Sequence, residues 1–495
     1  MVNSNHYMDS FLNPESLCIF GANNEFLSTM GAMMCRNIIA GGFLKENLYP
    51  IHPKLSEVQG MKAYKSVLDL PTTPELALII LRPDTVAQVL EECGKKGIKR
   101  AIITSGGFRE VGDVNLSQRI SEIAQKYNMK FIGPNCLGVY NAWYKYPEVK
   151  NTRFNTMWIY EVPEKGNVSI IAHSGTLASH VFWYCKKIGL KIARSFSIGN
   201  EKDIDMLDIL EYLKDDPYTK VIGLYIEEIK RGNQFIELAK EITPHKPIVA
   251  IYAGGTEAAT RSIMGHTGAI AGDNKIYEAV FKESGIISTF SIENYLYYLR
   301  TFSQGVIPKG KRIALVTSSG GSGSMLAKTA ELHGLEVPEF SEELKEQLRE
   351  YAPEIANLRN PLDLTFVLNQ YNSYVKIPKI LIKSGEIDGI IVYAAWGFEE
   401  VLDVIKQSSG KSYDEFDQLD NKLMKRIYIK PTQRLVMKTS IPIFYIGPQG
   451  YSNSWIRELL DSNIPVFDLW DQPVKCFSVL AQYAEYRKKL CEKSL

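Results

Sequence analysis

His266 sits in the stretch IMGHTGAIAGDN, Ile263 to Asn274, where Gly265, Gly268, Ala269, Ala271 and Gly272 give it almost no side-chain cover. Three readings compete for such an imidazole: a satisfied surface or core histidine, a metal ligand, or a nucleophile that something large must reach. The metal reading loses ground because no second His or Cys lies at ligand spacing, and no metal is assigned to this chain. Two other stretches are suited to an anion. AHSGTLAS places Ser174, Gly175 and Thr176 after an apolar strand and at the start of a helix, where free amides and the helix dipole converge. VTSSGGSGSM repeats the device with Gly320, Gly321 and Ser322. Each Gly-rich turn alone is more often structural, but two on separate domains could hold one phosphate between them.

These residues need a frame. Apolar runs such as SLCIFGA, LALIIL, KFIGPN and VIGLYIEEI alternate with helical stretches such as DTVAQVLEECGKKG and LSQRISEIAQKYN. Strands alternating with helices predict parallel sheets covered on both faces. The stretch Asn141 to Gly166 breaks the rhythm and reads as a first linker, Gln304 to Arg312 as a second, and Gln407 to Arg434 as a polar surface insertion. The expected architecture is α/β: three doubly wound units in series, spanning 1–145, 165–303 and 310–485.

In such sheets ligands sit beyond the carboxyl ends of the strands. The first unit offers IFGANNEFLSTMG, where Gly21 ends a strand and Gly31 lies in the following helix, a longer loop than the GxGxxG fingerprint allows. YPIHPK, Tyr49 to Lys54, puts prolines, a histidine and a lysine at the expected ribose or phosphate position, while SGGF and GPNCLG end two more strands.

Bulk figures narrow the function classes. A chain of 495 residues is too long for one hydrophobic core. With 57 Lys+Arg against 56 Asp+Glu, the net charge of +1 gives no electrostatic footprint for nucleic acid or an anionic membrane. The apolar runs are strand-length, too short to span a bilayer, and the N-terminus lacks the pattern of a secretory signal. Seven cysteines without a CxxC pair point to reduced thiols in a cytoplasmic protein.

GPNCLG, SGTLAS, TEAATRSIMGHTGAIAG, VTSSGGSG and NPLDL occur in the order seen in the NDP-forming acyl-CoA synthetases, the ADP-forming acetate–CoA ligases related to succinyl-CoA synthetase. The chain resembles this family from Phe11 to Tyr483. The resemblance implies an N-terminal Rossmann-like CoA-binding domain followed by two flavodoxin-like, succinyl-CoA synthetase-like domains. It implies that acyl-CoA and phosphate give acyl phosphate, whose phosphoryl group passes to His266 and then to a nucleoside diphosphate. Bulky neighbours would block both approaches, which answers why the histidine is so bare. One ring nitrogen attacks while a carboxylate holds the other and fixes the tautomer. Glu227 and Glu228 are the candidates; strand alternation lets one of them face the histidine. Succinyl-CoA synthetase is similar at the second position and the ADP-forming acetate enzymes at the first, and the reading leans to Glu227. The implied CoA contacts are Gly21, Asn23, Asn24, Ser28, Pro50, His52, Lys54, Pro83, Ser105, Asn135 and Cys136.

Departures from the family pattern matter as well. His173 stands where Gln or Arg usually precedes the SGT turn, and Met264 where a small residue is usual. No ATP-grasp domain and no GxxxxGK[ST] pattern is found, so the chain resembles an α subunit. A separate ATP-grasp β subunit is expected to bind Mg²⁺ and ADP/ATP or GDP/GTP, in a hetero- or homo-oligomer that works on acyl-CoA and a carboxylate. A CoA-binding regulatory protein, or an acyl- or carbamoyltransferase without nucleotide, is the alternative. Retention of GHTGAIAG with both phosphate turns favours the synthetase.

Overall fold

The apolar runs become strands because helices cover both of their faces: Leu76–Ile79, LALI, is buried at every position. The computed structural model describes residues 6–25, 29–146, 152–159, 161–267, 272–365, 369–393, 407–408 and 425–493. The chain divides into two compact units, Met1–Ser303 and Gln304–Leu495. No described helix is long and apolar enough to cross a membrane.

The first unit holds two large sheets and a two-stranded antiparallel ribbon, Glu57–Val58 with Met61–Lys62. In the first, β1 (Leu17–Phe20), β2 (Leu48–Ile51), β3 (Leu76–Ile79), β4 (Arg100–Ile103) and β5 (Lys130–Ile132) run parallel in the order β2-β1-β3-β4-β5. The chain steps from β1 to one side and then returns to the other, so a crevice opens at the carboxyl end of β1. Gly21 closes that end with φ +88°, and a Cβ there would lie 2.0 Å from the Ile80 carbonyl oxygen. Gly31, in the helix Met30–Ala40, is as tightly placed: its Cβ would lie 2.3 Å from the Gly21 oxygen.

The second sheet contains β6 (Gly138–Asn141), β7 (Phe154–Asn155), β8 (Lys165–Ala172), β9 (Ile192–Ser197), β10 (Val221–Ile226), β11 (Ile248–Tyr252) and β12 (Ile287–Ser288). Its order is β12-β11-β10-β8-β9-β6-β7, parallel except that β6 runs antiparallel to β9 and β7 to β6. Here the structure corrects the linker reading. Asn141 to Gly166 includes the edge strand β7, the end of its neighbour β6 and the start of the central strand β8, so its described part belongs to the sheet. Aromatic residues read as a break in rhythm are there to bury that edge: Phe154 packs with Phe43 and Tyr144, and all three are buried. One continuous apolar cluster runs from Leu17 and Ile132 in the first sheet to Phe196, Ile226 and Ile248 in the second. That shared core explains why two sheets behave as a single unit.

The second unit carries β13 (Ile313–Thr317), β14 (Leu362–Asp363), β15 (Gly389–Tyr393), β16 (Ile443–Ile446) and β17 (Val466–Phe467), parallel in the order β14-β13-β15-β16-β17. Asn360 pins the NPLDL segment to β13: its Oδ1 accepts from Leu315 N at 3.0 Å and its Nδ2 donates to Ile313 O at 2.8 Å. Most of the expected insertion lies outside the described residues. Its described end enters the helix Lys430–Lys438, and Ile429 and Thr432 are buried there, so this end is not wholly surface.

Candidate active site

Parallel strands deliver their carboxyl ends to one edge, and the first sheet places its candidate CoA contacts there. Gly21, Asn23 and Asn24 follow β1; Pro50 lies within β2, with His52 and Lys54 just beyond it; Pro83 follows β3, Ser105 follows β4, and Asn135 and Cys136 follow β5. Ser28 lies outside the described residues. Several of these side chains shape the edge itself. Asn24 accepts from Gln59 N at 2.7 Å and donates to Glu57 O at 3.0 Å; His52 Nδ1 accepts from Leu55 N at 2.9 Å; Ser105 Oγ accepts from Leu81 N at 3.1 Å. Cys136 is buried, and desolvation pushes its thiol up to about 12, so it serves as packing and not as a nucleophile. Gly21 lets the chain turn against the Ile80 carbonyl at the end of β1, and Lys54 is exposed after β2.

The second sheet presents its strand ends next to this edge. Ser174 caps the short helix Gly175–Ser179, its Oγ accepting from Leu177 N at 3.5 Å. A Cβ at Gly175 would lie 2.7 Å from Leu137 Cγ, so a larger residue there would have to push that side chain aside. β10 ends at Ile226, so Glu227 and Glu228 lie just past the strand and not within it. Their environments differ. Glu227 is buried at 3% exposure, whereas Glu228 takes both guanidinium arms of Arg109, at 2.8 and 3.1 Å.

Arg109 belongs to a cluster that composition and spacing did not reveal. Glu110 accepts from Gly107 N at 2.5 Å and from Asn200 Nδ2 at 2.6 Å, tying the SGGF loop of the first sheet to the end of β9. Lys230 donates to the carbonyls of Asn200 and Glu201 at 2.9 and 2.5 Å. A cavity of about 480 Å³ lies between these strand ends, walled by Pro134, Arg109, Asn200, Glu201, Lys202 and Lys230 among others. Charged residues after two strand ends, RE in SGGFRE and NEKD in SIGNEKD, were the available signal. Nothing local says that they meet.

His266 corrects the loop reading. The segment Glu257–Thr267 is a helix, and His266 lies in its last turn. Helix-forming residues fill most of EAATRSIM, which is why propensity carries the helix past Gly265. A Cβ at Gly265 would meet nothing within 4 Å, so packing does not demand glycine at this position. The helix packs on the turn Arg109–Val111, and thereby beside the Arg109–Glu228 pair. An open groove of about 530 Å³ runs along its start, lined by Gly255, Thr256, Arg261 and Asp273.

In the second unit, the helix Gly320–Leu332 starts at Ser319 without a side-chain cap, so its first amides, on exposed Gly320 and Gly321, face solvent. Ser322 follows them in the same turn. It is buried, and its Oγ donates back to Ser319 O at 2.8 Å.

Residues 16–142 match a family described as CoA binding domain, and residues 165–302 one described as succinyl-CoA ligase like flavodoxin domain. The α subunit of ADP-forming acetate–CoA ligase II of Pyrococcus furiosus is 33% identical over 483 residues, covering 97% of this chain and 98% of that one. An ADP-forming acetate–CoA ligase of Methanocaldococcus jannaschii is 37% identical over 351 residues, covering 71% of this chain and 48% of that longer protein. Among solved structures, a dinucleotide-forming acetyl-coenzyme A synthetase of Ca. Korarchaeum cryptofilum, in complex with phosphate and ADP, superposes with a TM-score of 0.80 at 28% identity, covering 99% of each chain.

Proposed function

The chain belongs to the NDP-forming acyl-CoA synthetases, the ADP-forming acid–CoA ligases, and we propose that it works as their α-type half, with His266 as the phosphoryl carrier. Phosphate attacks the thioester carbonyl and CoA leaves as thiol, giving acyl phosphate. The histidine then takes the phosphoryl group and frees the carboxylate. The phosphohistidine finally gives that group to a nucleoside diphosphate on a separate ATP-grasp subunit, which supplies Mg²⁺ and the cationic groups that such a transfer needs. The division assigned to this work is CoA binding in 1–145, the phosphohistidine domain in 165–303 and a second ligase domain in 310–485.

The observation that carries this reading is the packing of the helix that bears His266 against the turn Arg109–Val111, whose Arg109 holds Glu228, the chain neighbour of Glu227. In this scheme Glu227 fixes the imidazole tautomer. Glu228, already held by Arg109, keeps that turn in place, and the amides of Ser174 to Thr176 receive phosphate. Free, buried cysteines among the described residues suit the cytoplasm.

The test uses purified chain, acyl-CoA, labelled phosphate, Mg²⁺ and ADP or GDP, with and without an ATP-grasp subunit. Label is expected on His266, read by mass spectrometry at alkaline pH, and nucleoside triphosphate is expected after the second subunit is added. Triphosphate made at a normal rate by this chain alone would overturn the division of labour. A second measurement addresses the first sheet. Calorimetry on the full chain should show CoA binding at concentrations far below those that NADH needs. The full chain is required because the first sheet shares its core with the second. NADH binding equal to or tighter than CoA would overturn the CoA assignment of this edge.

A further inference from the structure

His173, directly before the Ser174 turn, is buried at 4% exposure. Its Nε2 lies 3.0 Å from Glu201 Oε2, an ion-pair contact off the line of an ideal hydrogen bond. Its Nδ1 faces two backbone groups of opposite character, the Tyr225 carbonyl oxygen at 3.2 Å and the Glu227 amide at 3.3 Å. One nitrogen cannot serve both. With a proton on Nε2 alone, Nδ1 accepts from the Glu227 amide. With a second proton, taken from solvent, Nδ1 donates to Tyr225 O while Nε2 donates toward Glu201.

Glu201 is held for this contact. It is buried with φ +48°, a left-handed conformation that a non-glycine residue keeps where its surroundings enforce it. Met206 N donates to its Oε1 at 2.7 Å, and Lys230 grips its carbonyl. We propose that His173 is a positioning residue for Glu227: its second proton moves the ring's grip from the Glu227 amide to the Tyr225 carbonyl, and the charged ring holds the Glu227 carboxylate in its working place. This inference rests on Glu227 serving His266 as proposed above.

The surrounding charges decide when the ring is protonated. Burial opposes charging, but Glu201 and then Glu227 outweigh it and hold His173 above its ordinary 6.5. Lys230, 3.6 Å from the same Glu201 oxygen, opposes them from beyond the carboxylate, and Glu228 is met by Arg109 at 2.8 Å and by Lys230 at 3.9 Å. A raised native value means that the folded state binds this proton more tightly than the unfolded chain. The associated stability is complete below 6.5 and is lost as pH rises through the native value.

Nitrogen-15 NMR of histidine-labelled full-length protein, with amide labelling at Glu227, tests the geometry. The His173 ring should titrate above 6.5, and the Glu227 amide signal should move with the same midpoint. Phosphoryl transfer measured with the ATP-grasp subunit should fall on the alkaline side at that midpoint, in kcat and not in KM. His173→Gln, neutral at every pH, should lose this limb, and Glu201→Gln should move it to lower pH. A ring that stays neutral from about pH 6 to 9, or an unchanged limb in His173→Gln, would overturn the proposal. Absence of phosphohistidine from the unaltered protein overturns the functional reading instead, and the ring–amide coupling is then decided by the NMR titration alone.

Discussion

Replacing His266 with alanine is expected to lower nucleoside triphosphate formation at least about 10³-fold, because the substitution removes the atom that carries the phosphoryl group. The helix that bears it should survive. Alanine is the best helix former, and Gly265, one residue earlier, has nothing packed within 4 Å of its missing Cβ. Unchanged circular dichroism and unchanged CoA binding would therefore separate loss of the carrier from loss of fold. Glu227→Gln should give a smaller fall, since the tautomer loses its carboxylate while the nucleophile remains. A His266→Ala protein that still takes up label from acyl-CoA and phosphate would sink the assignment.

The largest effect on stability is expected at Asp216. Its carboxylate takes the guanidinium of Arg194 on both oxygens, at 2.8 and 2.9 Å, with the side chains 2% and 1% exposed. Arg194 also donates to Asn141 Oδ1 at 2.7 Å, and Asn141 donates to Leu12 O at 2.9 Å, so the pair anchors the N-terminal segment to the second sheet. Asp216→Ala strands a buried cation and should destabilise the first unit by about 3–5 kcal/mol, seen as a lower thermal midpoint. Arg194→Met combined with Asp216→Leu should recover most of that loss, because no charge is then left buried. Burial alone would raise the Asp216 pKa; the hydrogen bonds and charge of Arg194, helped by Thr219, hold it below its ordinary 3.8. The contribution is thus present above 3.8 and lost as pH falls through the lowered native value. A loss under about 1 kcal/mol in Asp216→Ala, the level of a surface pair, would show that water relaxes the site.

The sequence by itself determined what depends on neighbours along the chain. Apolar runs bounded by glycines specified the strands, and the backbone crowding at Gly21 and Gly31 shows why no other residue stands there. The bare surroundings of His266 left a nucleophile among three readings and the SGT turn offered an anion site, while phosphoryl chemistry entered with the family resemblance. Only the tertiary structure decided matters that depend on residues far apart meeting. It separated Glu227 from Glu228 by bringing Arg109 to the latter across 119 positions, and it turned His173 from a departure into a partner of Glu201. It made part of a sheet of the segment read as a linker, since its edge exists only once β9 has arrived beside β6. It also carried the helix through His266, where glycine had suggested a loop. Periodicity and turn chemistry act over a few residues, whereas a buried charge network is chosen by which strand ends the sheet order places side by side.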